Sequence, residues 1–401
     1  MLIEIHMLQN HSPANLNRDD LGAPKTCYFG GVMRSRISSQ CIKRSIRTSD
    51  EFKLLLGGIH TRRLPKYLAD MIKEKDVLPL ATSIMELCGL YHKEAKDDEE
   101  KKDNKKDIII FLSTKAAERL KNKLMDAPVK LSKEELKTYA AYFAEIIANE
   151  RYAPDMALSG RMLEPASSAS EYWKKLETTI EAALQTAHAI STHESRPEVD
   201  YFVAKDDIRG EDAGGAYIGE SMYNSACFYK YFSIDWEQLK ENLKGFGNGY
   251  EKLAAHTVGA FIRGAAIANP SGKQNSFAAN NLPDGILVEI RNSGAPVSYA
   301  NAFVKPAKAN AERDLVEESV AQLGQYVHDL DEGYGQHTKR YWFSPNLRYS
   351  LTYRDKEDKK AVDKTLTGHN IKSLDELIPA VINELGYNWE EVKKTVVNQP
   401  E

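Results

Sequence analysis

The pattern of apolar and polar positions divides the chain into segments of strand and helix character. Strands are predicted where short apolar or aromatic runs are bounded by turn residues. These runs are "LIEIHMLQ" near the N-terminus, the two arms of residues 198–222, "SACFYKYFSID" (225–235), "GILVEIR" (285–291) and "KRYWFS" (339–344). A Gly-rich turn separates the two arms, so they predict a hairpin.

Helical periodicity marks a second set of segments. It covers residues 39–47, most of 65–149, 171–191, 252–268, 312–330 and 373–386. The mixed-charge residues 93–107 interrupt this pattern and predict a solvated loop or a disordered segment. Because a helical insert separates strand-rich ends, the predicted fold class is α+β, of the split βαβ type.

Composition restricts the class of protein only broadly. Of 401 residues, 42% are hydrophobic, and the formal net charge is −4. The four cysteines lie far apart without a CxxC pair, which indicates neither a disulfide framework nor a zinc finger. A basic signal-peptide start and an 18-residue apolar run are both lacking. We therefore expect a cytoplasmic protein with no membrane partner.

Positive charge is concentrated in one stretch despite the net negative charge. Residues 21–49 contain no Asp or Glu and six basic residues, Lys25, Arg34, Arg36, Lys43, Arg44 and Arg47. Ser38 or Ser39 is the expected N-cap of a helix over 39–47. At 100° per residue, Gln40, Lys43, Arg44 and Arg47 share one face, and Cys41, Ile42, Ser45 and Ile46 the other.

Two interpretations of this stretch are open: a solvated helix face, or a surface that binds an anion or a nucleic acid. The adjacent Gly30 and Gly31 favour the second, because glycine lets a backbone approach a phosphate closely. These residues alone do not separate RNA from DNA or from a phosphorylated metabolite.

Signals of catalysis are weak elsewhere. The sequence has no HExxH or Walker A motif, and "GFGNGYEK" follows a helical segment and not a strand. Acid pairs at 19–20 and 206–207 could hold a metal ion, but Asp is common in such turn-like stretches. We expect no catalytic residue, no metal and no cofactor.

Longer motifs resemble one family. They are Asn17-Arg18-Asp19-Asp20, Lys25, Phe29-Gly30-Gly31, Arg36-Ile37-Ser38-Ser39-Gln40 and Lys43-Arg44, followed by "ALSGRM" (157–162), "AHAISTHES" (187–195), "DYFVAKDD" (200–207), "SYANAFVKPAK" (298–308) and "GYG" (333–335). In this order they resemble the CasC-type backbone subunit of the type I-E CRISPR Cascade, an RNA-guided surveillance complex. The resemblance covers about half the chain and leaves 50–155 and the region beyond 345 without a counterpart.

The resemblance implies a right-hand arrangement: an RRM-like (ferredoxin-like) palm, inserted helical fingers and a β-hairpin thumb. The corresponding segments are 1–57 and 225–345 for the palm, 58–180 for the fingers and 195–224 for the thumb. A charged, helical tail follows at 346–401. Several copies would stack head to tail along one guide RNA.

It also implies site residues and partners. Guide RNA would contact Arg18, Lys25, Arg34, Ser39, Gln40, Lys43, Arg44, Arg47, Met162 and Lys305, and a neighbouring copy's thumb residues Tyr201, Phe202 and Val203 would displace a base. Further partners would be the target DNA strand paired to the guide and the large, small, guide-end-capping and guide-processing subunits.

Two alternatives remain open at this point. One is a metal-dependent ribonuclease using Asp19, Asp20, Asp206 or Asp207. The other is a generic RNA-binding protein that acts as a monomer.

Overall fold

The computed structural model has an α+β fold. It describes residues 1–53, 55, 57–73, 76–91, 108–128, 130–204, 217–292, 294–335, 338–354, 363–366 and 370–395. The charged segment 93–107 and the turn between the two arms of 198–222 lie outside these ranges. Within the described ranges, none of the helices has the length and apolarity needed to cross a bilayer.

The strands follow the predicted segments and add several short ones. In chain order they are β1 (Leu2–Ala14), β2 (Thr26–Phe29), β3 (Val32–Ile37), β4 (Gly58–Thr61), β5 (Ile110–Ser113), β6 (Arg161–Met162), β7 (Thr179–Ile180), β8 (Leu184–Thr186), β9 (Ala189–Ser191), β10 (Glu198–Ala204), β11 (Tyr217–Asp235), β12 (Gly285–Arg291), β13 (Lys339–Phe343), β14 (Thr352–Arg354), β15 (Asp363–Thr365) and β16 (Asn370–Ile371).

The helices also follow the predicted pattern, with one exception. They are α1 (Ser39–Arg47), α2 (Asp50–Lys53), α3 (Leu64–Met71), α4 (Leu78–Leu87), α5 (Thr114–Met125), α6 (Lys133–Asn149), α7 (Pro154–Ser159), α8 (Ser170–Trp173), α9 (Trp236–Leu243), α10 (Tyr250–Ile267), α11 (Gln274–Phe277), α12 (Leu315–Tyr334), α13 (Leu374–Glu384) and α14 (Trp389–Val392).

The exception is the helix predicted over 171–191, which is wrong. Only α8 is helical there, and β7, β8 and β9 occupy the rest. Both β8 and β9 pair with β11. Backbone pairing with this long strand outweighs the helical propensity of the segment, because propensity is a weak preference that tertiary contacts override.

One large sheet organises the first of two compact units, called here the sheet unit. It comprises Met1–Lys53, Gln185–Asp235 and Val258–Lys393. The strand order is β16-β13-β12-β1-β11-β9-β3-β2, with β8 and β10 also paired to β11. The pairs from β13 to β2 are antiparallel, and β13 and β16 are parallel.

Both faces of the central strand β1 are covered, which explains its nearly continuous burial from Leu2 to Gln9. On one face Phe232 packs edge-on against Phe261 of α10 at 5.3 Å. On the other, Leu8 belongs to a cluster with Leu323 of α12. The sheet therefore holds the middle layer of this unit.

The second compact unit, the helical unit, comprises Leu54–Leu184, Trp236–Thr257 and Lys394–Glu401. Its apolar cluster is built mainly by α3, α4, α5, α6 and α8, and includes Leu68, Ile84, Leu120, Phe143 and Trp173. A capping box between Ser132 and Glu135 begins α6.

Candidate nucleic-acid interface

The loop that contains the Asn17-Arg18-Asp19-Asp20 motif is attached to the start of α1. Ser38 is the N-cap, and its hydroxyl accepts a hydrogen bond from the Cys41 amide (3.3 Å). The Ser38 amide in turn donates to the side-chain oxygen of Asn17 (2.9 Å), and the Lys25 amide donates to the Asn17 carbonyl (2.8 Å). These bonds hold Arg18 and Lys25 beside the positive end of the helix dipole.

Helix α1 buries Ile42 and Ile46 and exposes Gln40 and Arg44, as its periodicity predicts. Ser39, Lys43 and Arg47 are half-buried. The assignment of Cys41 and Ser45 to the packed face is wrong, since both line an open cavity. Cys41 and Ser45 are neighbours of Arg44 on the helix surface. The side of α1 that lines this cavity therefore lies between its buried face and its exposed face.

The cavity lies between the loop after β1, helix α1 and the loop after α10. Its volume is about 600 Å³. It is lined by Leu16, Asn17, Arg18, Asp19, Asp20, Gly22, Cys41, Arg44, Ser45, Thr48, Asn269, Ser271 and Gly272. Two guanidinium groups, the carboxylates of Asp19 and Asp20, amides and hydroxyls thus surround a space wide enough for part of a nucleotide chain.

Gly30 and Gly31 form the two-residue turn between β2 and β3, with φ of +61° and +79°. Positive φ at both positions is typical of the tight hairpin turns that glycine favours. Gly30 packs closely against the backbone of Val304. The turn thereby places Lys305, which is exposed, next to the hairpin.

Arg34 is predicted to contact RNA, but the structure buries it. Its relative exposure is 0%, and its guanidinium donates to the carbonyls of Phe29 (3.2 Å), Ser191 (3.2 Å), Phe303 (2.7 Å) and Val304 (3.3 Å). An arginine with its donors committed to backbone oxygens stabilises the loop and does not reach a phosphate. Sequence alone cannot distinguish it from the exposed Arg44.

A buried ionic cluster supports the loop that follows β12. Glu4 and Glu289 lie opposite each other in the β1–β12 register, and Arg291 forms ion pairs with both carboxylates. Glu4 also accepts a hydrogen bond from the Val297 amide (2.7 Å), and the Tyr299 hydroxyl donates to Glu289 (2.6 Å). The buried carboxylates of Glu4 and Glu289 therefore hold the start of the loop that carries Lys305.

Met162 is presented on the surface of the helical unit, with 73% of its area exposed. Its neighbour Arg161 is buried and donates to the carbonyls of Ile147 (2.7 Å) and Ala148 (3.4 Å) at the end of α6. Burial lowers the pKa of Arg161 to about 10. Within the "SGRM" motif, Arg161 is thus anchored in the protein and Met162 is exposed.

The two arms predicted over 198–222 form the antiparallel strands β10 and β11. Tyr201, Phe202 and Val203 are all exposed, Tyr201 to 70%. Tyr201 and Val203 project from the same face as Ile218, because Val203 is paired with Ile218 and side chains alternate along a strand. One exposed face of the hairpin thus carries Tyr201, Val203 and Ile218, with Glu220 opposite Tyr201.

Of the acidic residues of the ribonuclease alternative, Asp19 holds its own loop, Asp20 lines the cavity, and Asp206 and Asp207 lie outside the described ranges. The Asp19 carboxylate accepts hydrogen bonds from the amides of Leu21 and Ala23, both 2.9 Å. Asp206 and Asp207 are among the residues that the structure does not describe. Among those that it does, no three His, Cys, Asp or Glu side chains gather where they could share a metal ion.

Arg18 and Arg44 therefore line the same cavity of the sheet unit, to which Lys25, Gln40 and Lys43 also belong, while Met162 belongs to the helical unit. Sequence reasoning missed the wall formed by Asn269, Ser271 and Gly272. Gly272 packs against the backbone of Leu16, and a Cβ there would come closer than 3.0 Å to it. The only signal in the sequence was the turn-like "NPSGK", which resembles any loop.

Comparison with known proteins places these features in a family. The model of the CT1975-like protein family matches residues 3–378. A chain of the solved structure "CRISPR RNA-guided surveillance complex, pre-nicking" is similar, with 26% sequence identity and a TM-score of 0.73 over 96% of this chain and 100% of the other.

A chain of a second solved structure, "CRISPR RNA-guided surveillance complex", has the same coverage, 22% identity and a TM-score of 0.54, and shares the fold. No curated protein matches the chain in sequence. The family resemblance carried by the sequence motifs is confirmed, and the chain belongs to the CT1975-like protein family.

Proposed function

We propose that this protein is a non-catalytic backbone subunit of a type I-E CRISPR surveillance complex, in which copies of the chain bind head to tail along one guide RNA. The observation that carries the proposal is the likeness of 96% of the chain, at 26% identity, to a subunit of an RNA-guided surveillance complex. The basic surface around α1 is the part of the molecule whose chemistry fits RNA.

The strand order supports an RRM-like palm. The sheet contains the run β12-β1-β11-β9, all antiparallel. In chain order these are the fourth, first, third and second strands, with α1 between the first and second and α10 between the third and fourth. This is the β-α-β-β-α-β order of ferredoxin-like folds. The fingers then correspond to the helical unit, and the thumb to the β10–β11 hairpin.

The proposed contacts are mostly to the phosphate backbone. Arg18, Lys25, Ser39, Gln40, Lys43, Arg44, Arg47 and Lys305 supply cations and hydrogen-bond donors, and phosphates carry no sequence information. A guide of any sequence can therefore be held, while base pairing with the target DNA strand supplies specificity. Arg34 is assigned to the scaffold because its guanidinium is enclosed.

Met162 and the thumb residues Tyr201, Phe202 and Val203 are proposed to contact bases. Their exposed apolar surfaces suit stacking or wedging between bases, which does not depend on sequence. The thumb of one copy would act on the RNA held by its neighbour. The large, small, guide-end-capping and guide-processing subunits would complete the particle.

The length of the RNA tests this function against both alternatives. Purified protein is mixed with RNAs of increasing length, with magnesium or with a chelator, and the particle mass and the RNA are both measured. A stepwise increase in protein copies with RNA length, on intact RNA, is expected. One copy per RNA at every length would indicate a monomeric binder, and cleavage only with magnesium would indicate a ribonuclease.

A further inference from the structure

Lys230 is a buried cation in the middle of the sheet. It lies on β11, is 2% exposed, and its ammonium donates a hydrogen bond to the side-chain oxygen of Gln9. It forms no ion pair with a carboxylate in the part of the chain that the structure describes. A buried charge without a counter-charge is costly, so such a residue calls for a physical reason.

Two contacts lead from Lys230 to the cavity beside α1. The Gln9 amide that accepts from Lys230 also donates to the side-chain oxygen of Asn269 (2.9 Å) and to the Asn281 carbonyl (2.6 Å). Asn269 lines the cavity. Cys41 also lines the cavity, and the charge of Lys230 partly offsets the rise that burial causes in the pKa of the Cys41 thiol. Lys230 thus lies behind the cavity, one residue away from its surface.

None of the described carboxylates is paired with Lys230; Asp19 and Asp20 line the cavity, and the Asp19 carboxylate accepts hydrogen bonds from the amides of Leu21 and Ala23. Burial lowers the pKa of Lys230 to about 8, and the Cys41 thiol acts weakly in the opposite direction. On β1, burial and the charge of Lys230 lower the pKa of His11 to about 3, so His11 is neutral at pH 7. Arg44, one turn along α1 from Cys41, adds another positive charge at the cavity.

We propose that Lys230 is a buried counter-charge for an RNA phosphate seated in the cavity between Arg18 and Arg44, and that it also positions the Asn269 wall through Gln9. This inference rests on the proposed RNA-binding function. The phosphate would not touch Lys230, but Gln9, which separates Lys230 from the cavity residue Asn269, is buried, and charges are screened less by buried protein than by water. The same attraction holds the proton on the ammonium more tightly.

Proton uptake is the consequence that distinguishes this role from a structural one. A phosphate in the cavity raises the proton affinity of Lys230, so RNA binding must take up protons at pH values near and above 8. By linkage, RNA affinity must fall as the pH rises through this range. At pH 7 the ammonium is already largely protonated, and uptake must be small.

Calorimetric titration with an RNA oligonucleotide, at about pH 8.3 in two buffers of different ionisation enthalpy, measures this uptake. The wild type is expected to bind about half a proton per copy beyond the K230M variant, whose affinity no longer depends on pH between 7 and 9. Variant K66M, a change to an exposed lysine of the helical unit, must retain the uptake.

The Q9E variant gives a second test that keeps Lys230 in place. A carboxylate beside the ammonium raises the pKa of Lys230, so the ammonium is already protonated before RNA binds and proton uptake must disappear. RNA binding by the wild type without proton uptake would overturn this inference and leave the proposed function intact. If the wild type bound no RNA at all, both would be wrong.

Discussion

Gly30 and Val304 are in backbone contact, so close that a Cβ atom on Gly30 would overlap the carbonyl oxygen of Val304. The β2–β3 turn therefore packs directly on the loop that carries Lys305. Arg34 lies beneath the same contact and donates to the Val304 carbonyl. A glycine and an enclosed arginine thus hold the loop that carries Lys305 against the β2–β3 turn.

Alanine at the two glycines of this turn should have different effects. Each substitution places a Cβ at positive φ, which costs about 1–2 kcal/mol. G30A must also displace Val304, which adds about 1–3 kcal/mol, whereas a Cβ on Gly31 meets no heavy atom of the described residues within 4 Å. Urea unfolding of both variants measures the difference. Equal destabilisation would show that the contact with Val304 is not tight.

Arg34 and Arg44 should separate stability from RNA binding. R34M leaves buried carbonyls without donors, at a cost of about 1–3 kcal/mol for each unsatisfied group. R44M changes an exposed side chain and should alter the free energy of unfolding by less than about 0.5 kcal/mol. R44M should instead make the plot of log binding constant against log salt concentration less steep, by about 0.7 in slope.

Thermal unfolding and RNA titrations at several salt concentrations check this pair. K66M, at an exposed lysine of the helical unit, is the control for loss of a surface charge. If R34M had normal stability but a weaker salt dependence of RNA binding, Arg34 would contact the RNA after all.

Arg161 and Met162 are adjacent but should respond oppositely. R161A removes a buried side chain that caps α6, and large-to-small changes in a core cost about 2–5 kcal/mol. M162A should leave stability within about 0.5 kcal/mol and weaken RNA binding by up to about 3 kcal/mol if Met162 stacks on a base. Chemical denaturation and RNA titration of both variants measure these effects. Strong destabilisation by M162A would identify a packing role.

The rates of cysteine alkylation should show whether RNA occupies the cavity. Burial raises the pKa of Cys88 and Cys227 to about 12, so these thiols should stay unreactive in the folded protein. Cys27 and Cys41 are half-buried, and burial raises the pKa of both. Their alkylation should therefore be slower than that of a free thiol at pH 8 and should accelerate as the pH rises.

RNA should protect Cys41, which lines the cavity, more than Cys27, which does not. Mass spectrometry of peptides alkylated with and without RNA measures the two rates, and Cys27 is the internal control. Equal rates at Cys41 in both samples would place the RNA elsewhere.

The sequence predicts local elements better than the contacts between them. The strand at 285–291 and the faces of α1 that carry Ile42 and Arg44 follow from periodicity, because their pattern is local. The strands within 171–191 do not, because they depend on pairing with β11. Likewise, the burial of Arg34 and Lys230 depends on carbonyls and amides contributed by distant segments, which no local pattern contains.

The most direct test of the central claim is to identify the RNA that this protein binds in cells. The chain is expressed with and without a CRISPR array and its neighbouring genes, purified at low salt, and the bound RNA is sequenced. Spacer-repeat RNA in a large particle containing several copies of the chain, only when the array is present, is the predicted result. Mixed cellular RNA, or none, on a monomer in both preparations would contradict the account.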